Sequence, residues 1–216
     1  MTYLQIINGV LRRLRENTVS TSAETDYSTM IGDLVNDAKT TVEQSHEWTS
    51  LRSTITVATV LDQTTYSLTG AYQDSILKES LNDTSNWFLR LKSKNFFNRQ
   101  TYLAGTTPSS APNEFMWNGT DSDGYLQVDL FPTPDGIYSL RFDMVTPQAA
   151  LASDATVLKV PSDPVLQLAF AMALRERGET GGQSAAEQFG VAAIAMSDAI
   201  QIDANKYQNE LTFFPV

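Results

Sequence analysis

The sequence predicts an α+β protein, with a helical body built from both ends of the chain and an antiparallel β-rich subdomain inserted between them. Apolar residues recur at helical spacing near both ends, and apolar–polar alternation occupies the middle of the chain. A short apolar segment follows the last helical pattern. We therefore expect a helical body of residues 1–51 plus 147–206, a β-rich insertion of residues 52–146 and a C-terminal arm of residues 207–216.

Two helices are predicted ahead of the insertion. The first covers residues 2–16, in which one apolar stripe recurs at helical spacing: Leu4, Ile7, Leu11 and Leu14. The second begins near Thr21, which stands three residues before Glu24, the spacing of a capping box. This second pattern fades near Trp48, where the character of the sequence changes.

Alternation of threonine with apolar residues predicts a strand over Arg52–Val60. Further short strands are predicted at residues 65–69, 74–81, 87–91 and 114–117. The clearest β signal is residues 124–145, where two alternating runs flank Pro132–Gly136. Two prolines and a glycine predict a stiff turn there, so we expect the two runs to form a hairpin.

Two more helices are predicted after the insertion. Asp163 is a suitable N-cap, with Pro164 at the first helical position. Residues 165–174 are apolar nearly all round, which predicts a helix buried on both sides. The last helix starts at a capping box formed by Ser184 and Glu187.

Composition excludes several classes of function. The net charge of −10 and the sequence pI of about 4.5 argue against an overall basic nucleic-acid surface and against a polybasic membrane anchor. The chain has no cysteine, which removes disulfides, thiolate catalysis and cysteine zinc sites. We expect no membrane span, because no stretch approaches ~18 uninterrupted apolar residues.

The residues that could carry chemistry have simpler structural interpretations. His46 is the single histidine, and we expect it to cap or flank a helix. Glu43 and Glu47 lie four residues apart on a helix, which more often means two solvated carboxylates than a catalytic pair. Asp121–Gly124 fails the register of a calcium loop and predicts an Asx turn. The glycines of residues 178–182 predict a hinge. We therefore expect no enzyme activity, metal or cofactor.

Two clusters leave a binding alternative open. Four basic residues surround Phe96 and Phe97, an arrangement that either grips a nucleic-acid strand or protects a strand edge, and we favour the edge: Arg90, Lys92, Lys94 and Arg99. Three aromatic residues are candidates for a sugar platform, although core packing explains them equally well: Trp87, Trp117 and Tyr125.

The C-terminal arm is strongly apolar and too short to fold alone, so it is expected to dock on its own domain, on another subunit or on a partner. Its candidate interface residues are Tyr207, Leu211, Phe213, Phe214, Pro215 and Val216.

Several segments resemble the head-to-tail adaptor (connector or neck) proteins of tailed bacteriophages. These are the opening residues 2–16, the helix through Ile31–Ala38 that leads to Trp48 and a strand, and Phe131–Gly136 between strands. A late alanine-rich helix and the run Arg175–Glu179 are similar as well. The resemblance covers most of the chain in the order of its elements, although the basic cluster and the details of the β segment have no counterpart.

The resemblance implies a homo-oligomeric ring, typically a dodecamer, attached beneath the portal protein in the neck of the virion. Such a ring extends the DNA channel without binding DNA specifically and offers a platform for tail or nozzle proteins. It implies assembly in the host cytoplasm, and an arm that reaches the portal or a neighbouring subunit. The alternatives are a tail-tube or tail-completion protein and, less favoured, a carbohydrate-binding or hydrolytic virion protein.

Overall fold

The computed structural model describes residues 1–178 and 183–206 of the 216-residue chain. In that part it contains five α-helices and two β-sheets, which confirms the predicted α+β class. The chain divides into two compact units. The helical unit contains Met1–Leu51 and the chain from Gln148 onward, and the β unit is Arg52–Pro147. The predicted arm and most of the predicted glycine hinge lie outside the described residues.

The helices are α1 (Tyr3–Arg13), α2 (Asp26–Ser45), α3 (Lys94–Asn98), α4 (Ser162–Glu176) and α5 (Gln183–Ala204). The strands are β1 (Arg52–Ala58), β2 (Thr65–Ser67), β3 (Ile76–Asn82), β4 (Trp87–Phe88), β5 (Arg90–Leu91), β6 (Glu114–Thr120), β7 (Leu126–Phe131) and β8 (Ser139–Val145).

Side-chain caps decide where the first two helices begin. Thr2 and Gln5 form a reciprocal capping box at the start of α1. Thr25 and Ser28 form the corresponding box at the start of α2, so the predicted start near Thr21 is wrong by about one turn. Glu24, the partner predicted for Thr21, instead accepts hydrogen bonds from the backbone and hydroxyl of Ser20.

Helix α4 is the centre of the helical unit. Every side chain from Pro164 to Leu174 is buried or half-buried, and the helix packs against α1, α2 and α5. The prediction that this helix is buried on both sides is therefore confirmed, and its own unit supplies the cover. Gly9 of α1 permits the close approach, because a Cβ there would stand 2.9 Å from Leu166 Cδ1.

The segment that follows the β unit is fixed to one face of α2. Asn36 donates from Nδ2 to the Leu151 carbonyl and accepts from the Leu151 N–H, at 3.2 and 2.8 Å. One turn further, Lys39 and Glu43 form a buried pair at 2.9 Å. Lys39 also donates to the Gln148 carbonyl, and Glu43 accepts from the Gln148 N–H. These contacts satisfy the backbone of a segment that has no sheet or helix of its own.

Two sheets face each other in the β unit. One is antiparallel with strand order β1-β8-β3-β4, and the other has the order β2-β7-β6-β5, with β5 parallel to β6. Both sheets contribute side chains to a single core, whose largest members are Tyr66, Leu68, Leu89, Phe115, Leu130, Leu140, Phe142 and Met144. The packing of two inner faces makes the unit a small β-sandwich.

The predicted hairpin over residues 124–145 is wrong. Strands β7 and β8 both exist, but they belong to different sheets, and the segment between them crosses the sandwich. Both strands alternate because Val128 of β7 and Phe142 of β8 point into the same core from opposite sides. Alternation reports which side chains are buried, and it does not report which strands pair.

The predicted strand over residues 87–91 also divides between the two sheets. Strand β4 pairs with β3 and β5 pairs with β6, with the buried Leu89 between them. Helix α3 and the π-helical turn Arg99–Leu103 that follows it have no counterpart in the sequence prediction. Phe97 fixes this segment by packing against Met116 and Phe131.

Candidate functional site

Helix α5 exposes several apolar side chains to solvent. Its buried row repeats every seven residues through Ala185, Ala192 and Ala199. Away from that row Ile194 is 65% exposed and Ile202 is 66% exposed, and the exposed Ser197 and Gln201 lie beside Ile194. We call this side the α5 outer face, and define it by the exposed residues Ala186, Gly190, Val191, Ala193, Ile194 and Ile202. An exposed apolar row on an otherwise packed helix is a typical protein-interaction surface.

Gly190 adds a second property to the α5 outer face. A Cβ at this position would meet nothing within 4 Å, so packing within the described residues does not require a glycine. A glycine inside a helix costs about 0.5–1 kcal/mol relative to alanine. Gly32 of α2 differs, because a Cβ there would collide with the Tyr3 hydroxyl. A glycine at position 190 would be explained if the backbone of another chain approached α5 closely there.

The end of α5 is held by a buried carboxylate. Asp203 is 3% exposed, and it accepts from the backbone N–H and the hydroxyl of Thr49 at 2.9 and 2.6 Å. Lys206 Nζ lies 3.0 Å from Asp203 Oδ1, and His46 Nε2 lies 3.3 Å from Asp203 Oδ2. Burial alone would raise the pKa of Asp203, but the hydrogen bonds from Thr49 and Lys206 outweigh it and lower that pKa. The carboxylate stays charged and fixes the C-terminal end of α5.

A family model described as SU10 adaptor protein matches residues 1–212 of the chain. The chain belongs to the SU10 adaptor protein family. The resemblance seen in the sequence is thereby confirmed, and the match includes both units and extends into the predicted arm. No curated protein matches the sequence. As a SU10 adaptor protein, the chain is a phage structural component.

The only histidine of this SU10 adaptor protein has a structural role. His46 is the C-terminal cap residue of α2, and its ring meets the Trp48 ring edge-on at 5.0 Å between centroids. The prediction that His46 flanks a helix is confirmed. Trp48 is fully buried and donates from Nε1 to the Val42 carbonyl at 2.7 Å, so the pair closes the end of the helix.

The carboxylates considered for acid–base chemistry do not form a solvated pair. The exposed part of the Glu43 side chain is 3%, and its partners are Lys39 and Gln148. The expectation that Glu43 is a solvated side chain is therefore wrong. Lys39, four residues earlier on α2, was the signal available in the sequence, because opposite charges at this spacing meet on a helix. The pair is used to hold backbone groups in place.

Asp121 forms the turn predicted for it. Its Oδ1 accepts from the N–H groups of Asp123 and Tyr125 at 3.0 and 2.8 Å, which is an Asx turn. Desolvation opposes the effect, but hydrogen bonds from Ser67 and from these backbone groups lower the pKa of Asp121. Within the two described ranges of the SU10 adaptor protein, no group of three His, Cys, Asp or Glu residues is placed to hold a metal ion.

The basic cluster lies at an edge of the sheet that contains β5. Lys92 pairs with Glu114 at 3.4 Å and stands over the Phe96 ring at 5.3 Å. Both Phe96 and Phe97 pack edge-on against Phe131. The aromatic side chains are committed to the β unit, which favours the strand-edge interpretation over base stacking.

The three candidate sugar-platform residues make separate contacts. Trp87 donates to the Pro112 carbonyl at 3.0 Å. The Trp117 ring packs on Phe115, and the Tyr125 ring packs on Tyr72. Core packing explains Trp117, whereas Trp87 is 42% exposed and Tyr125 packs on the exposed Tyr72, so the three side chains do not form one platform. In the described part of this SU10 adaptor protein, no helix is long and apolar enough to cross a membrane.

Proposed function

We propose that this phage adaptor is a non-enzymatic head-to-tail connector that forms a dodecameric ring below the portal protein in the virion neck. The ring extends the DNA channel and docks tail or nozzle proteins. The observation that carries the proposal is the family match over residues 1–212, which extends through both units. Assembly from subunits in the host cytoplasm belongs to the same proposal.

The helical body of residues 1–51 plus 147–206 forms the wall of the ring. Its contact between copies is the α5 outer face, because α4 is already covered within the unit while Val191, Ile194 and Ile202 are exposed. Gly190 lets a neighbouring backbone approach closely. In a ring each subunit uses two different surfaces, so the α5 outer face packs against another surface of the next copy.

The arm docks on the portal or on a neighbouring subunit. Its interface residues are Tyr207, Leu211, Phe213, Phe214, Pro215 and Val216. The support comes from its apolar composition and from Asp203, whose bonds to Thr49 fix its starting point. A ring of short arms also binds with avidity, since each arm engages while its subunit is held by two neighbours.

The charge of the chain suits a channel through which DNA passes without specific binding. The net charge is −10, and a row of α2 exposes Asp26, Asp33 and Asp37 to solvent. Like charge repels the phosphate backbone and lowers non-specific affinity. An acidic surface would therefore let DNA leave the head without adhering.

Co-sedimentation and negative-stain imaging with the matching portal ring test the proposal. The full chain is compared with a variant that ends at Tyr207 and with the double variant Val191→Asp/Ile194→Asp. We expect the full chain to form rings on the portal. The shortened chain should lose portal or neighbour docking, and the double variant should lose ring formation while keeping its fold by circular dichroism.

Thr40→Asp/Gln44→Asp is the matched control, because it adds the same charge at two exposed polar positions outside α5, on α2. Rings that survive the apolar-to-acidic substitutions would contradict the assigned interface. A full chain that stays monomeric and never binds the portal would contradict the adaptor proposal and favour a tail-tube or tail-completion role.

A further inference from the structure

Strand β1 is a long, open edge of the β unit. Within the described residues, β8 is the one strand that pairs with it. The other three edge strands are β4 with two residues, β2 with three and β5 with two, whereas β1 has seven. A short edge strand is a common protection against pairing with another chain. The other three edges have this protection, and β1 does not.

The composition of β1 favours pairing. After Arg52 the strand reads Ser-Thr-Ile-Thr-Val-Ala, with no charge, no proline and no glycine. β-Branched residues dominate, which is the composition of a stable strand. Thr54 and Thr56 are exposed. Lysine and proline, the residues that commonly block an edge, are absent from Arg52–Ala58.

The inner face of β1 is incompletely covered. Ile55 and Val57 pack against the sandwich core but stay half-buried, whereas the core residues of the neighbouring β8 are buried. Side chains two residues apart on an added strand would lie beside Ile55 and Val57 and cover them. The edge therefore offers both a row of backbone groups and an apolar flank.

The sequence of the arm matches this edge. Its ten residues, 207–216, contain one charged residue, Glu210. Leu211 and Phe213 are two residues apart, as are Ile55 and Val57, and Thr212 would lie on the side of Thr54 and Thr56. A seven-residue strand is about 23 Å long and ten extended residues reach about 33–36 Å, so the arm is long enough to follow β1 and still contain a connection.

We propose that β1 is the receptor of the C-terminal arm of a second copy, which adds to the sheet as a further strand next to β1. This inference rests on the proposed function, since it names the surface on a neighbouring subunit to which the arm binds. Backbone hydrogen bonds supply the attachment, and the half-buried side chains of Ile55 and Val57 contact Leu211 and Phe213. In a closed ring each subunit has one arm and one β1 edge. If every subunit donates its arm to the next copy, every β1 edge is paired with one arm.

The absence of cysteine makes a disulfide test clean. The variant Thr56→Cys/Thr212→Cys is assembled on the portal ring, oxidised mildly and run on a non-reducing gel. We expect a ladder of covalently linked subunits. The control Thr40→Cys/Thr212→Cys pairs the same arm position with an exposed threonine of α2 and should give no ladder.

A second variant checks the edge without a cross-link. Thr56→Lys places a charge on the exposed side of β1 and should remove arm protection from proteolysis in the assembled ring, whereas Thr40→Lys should leave it unchanged. Circular dichroism verifies that both variants are folded. Equal protection in the two variants would overturn the inference.

Each remaining outcome of the cross-linking identifies a different error. A disulfide within one subunit would show that the arm binds its own chain, and dimers from Thr56→Cys alone would show that β1 pairs with β1. Either result overturns the inference. Rings without a ladder overturn the inference but leave the adaptor function standing. Failure of the unmodified chain to assemble on the portal overturns both.

Discussion

Asp203 shows how a buried carboxylate can fix the end of a helix. It is the acceptor for two donors of Thr49, and Lys206 stands beside it. Such donors stabilise the charged form of the carboxylate. Removing one partner leaves the other as a buried polar group without a hydrogen bond, which costs free energy. The sequence showed an aspartate near the end of an alanine-rich helix, but the partner 154 positions away was not visible in it.

Replacing Asp203→Ala should lower the free energy of unfolding by about 1–3 kcal/mol, because the Thr49 N–H loses its acceptor in a buried place. Urea unfolding followed by circular dichroism measures the change. Asp198→Ala removes an exposed carboxylate from the same helix and should stay within about 0.5 kcal/mol of the unmodified chain. Equal effects in the two variants would show that the Asp203 contacts contribute nothing.

The lowered pKa of Asp203 also sets a pH dependence. A depressed carboxyl pKa contributes stability that is fully present above the pKa of the unfolded chain, about 4, and is lost as the pH falls through the folded pKa. The difference between the unmodified chain and Asp203→Ala should therefore be present at neutral pH and shrink below about pH 4. A difference that grew on acidification would contradict this sign.

At the scale of elements, periodicity located most helices and strands but did not assign strand partners. The α1 stripe, the α4 burial and the β7 and β8 alternation were all visible in the sequence. The crossover between β7 and β8 was not, because a stiff Pro132–Gly136 connection is compatible with a hairpin and with a crossing between sheets. Helix α3 was missed for a different reason, since five residues are too few to show a helical period.

Two glycines in helices should respond to substitution with opposite signs. Gly190→Ala should raise the free energy of unfolding of the isolated subunit by about 0.5–1 kcal/mol, because the new methyl group meets only open space. Gly32→Ala should lower it, because the methyl group collides with the Tyr3 hydroxyl. Thermal unfolding of the two variants measures both signs. Destabilisation by Gly190→Ala would reveal a tight contact at that position within the subunit.

At the scale of the whole molecule, the order of elements was the most predictable property. Helices at both ends of the chain and strands between them follow from the two periods in the sequence, and the family resemblance rested on that order. The arm residues Tyr207 and Leu211–Val216 were chosen for apolarity and position, and their docking remains a prediction. The helical periodicity shows which side of α5 is buried. It does not show which protein contacts the α5 outer face.

Net charge gives a prediction for the whole molecule. A chain with a net charge of −10 should not retain double-stranded DNA in a gel-shift assay, even at about 10 mM salt, where electrostatic attraction is strongest. The same assay is repeated with single-stranded DNA, because Lys94 and Arg99 belong to the basic cluster that was considered for binding a nucleic-acid strand. Retention that disappears in Lys94→Glu/Arg99→Glu would contradict the strand-edge interpretation of that cluster.

The burial of Trp48 has an optical consequence. Trp48 is the one tryptophan of the helical unit, whereas Trp87 and Trp117 belong to the β unit. Its indole is enclosed and hydrogen-bonded, so its fluorescence should be blue-shifted when folded and should move to longer wavelength when water reaches it. In a Trp87→Phe/Trp117→Phe background the emission of Trp48 would report on the helical unit alone. Trp48 precedes Thr49, whose N–H and hydroxyl donate to Asp203.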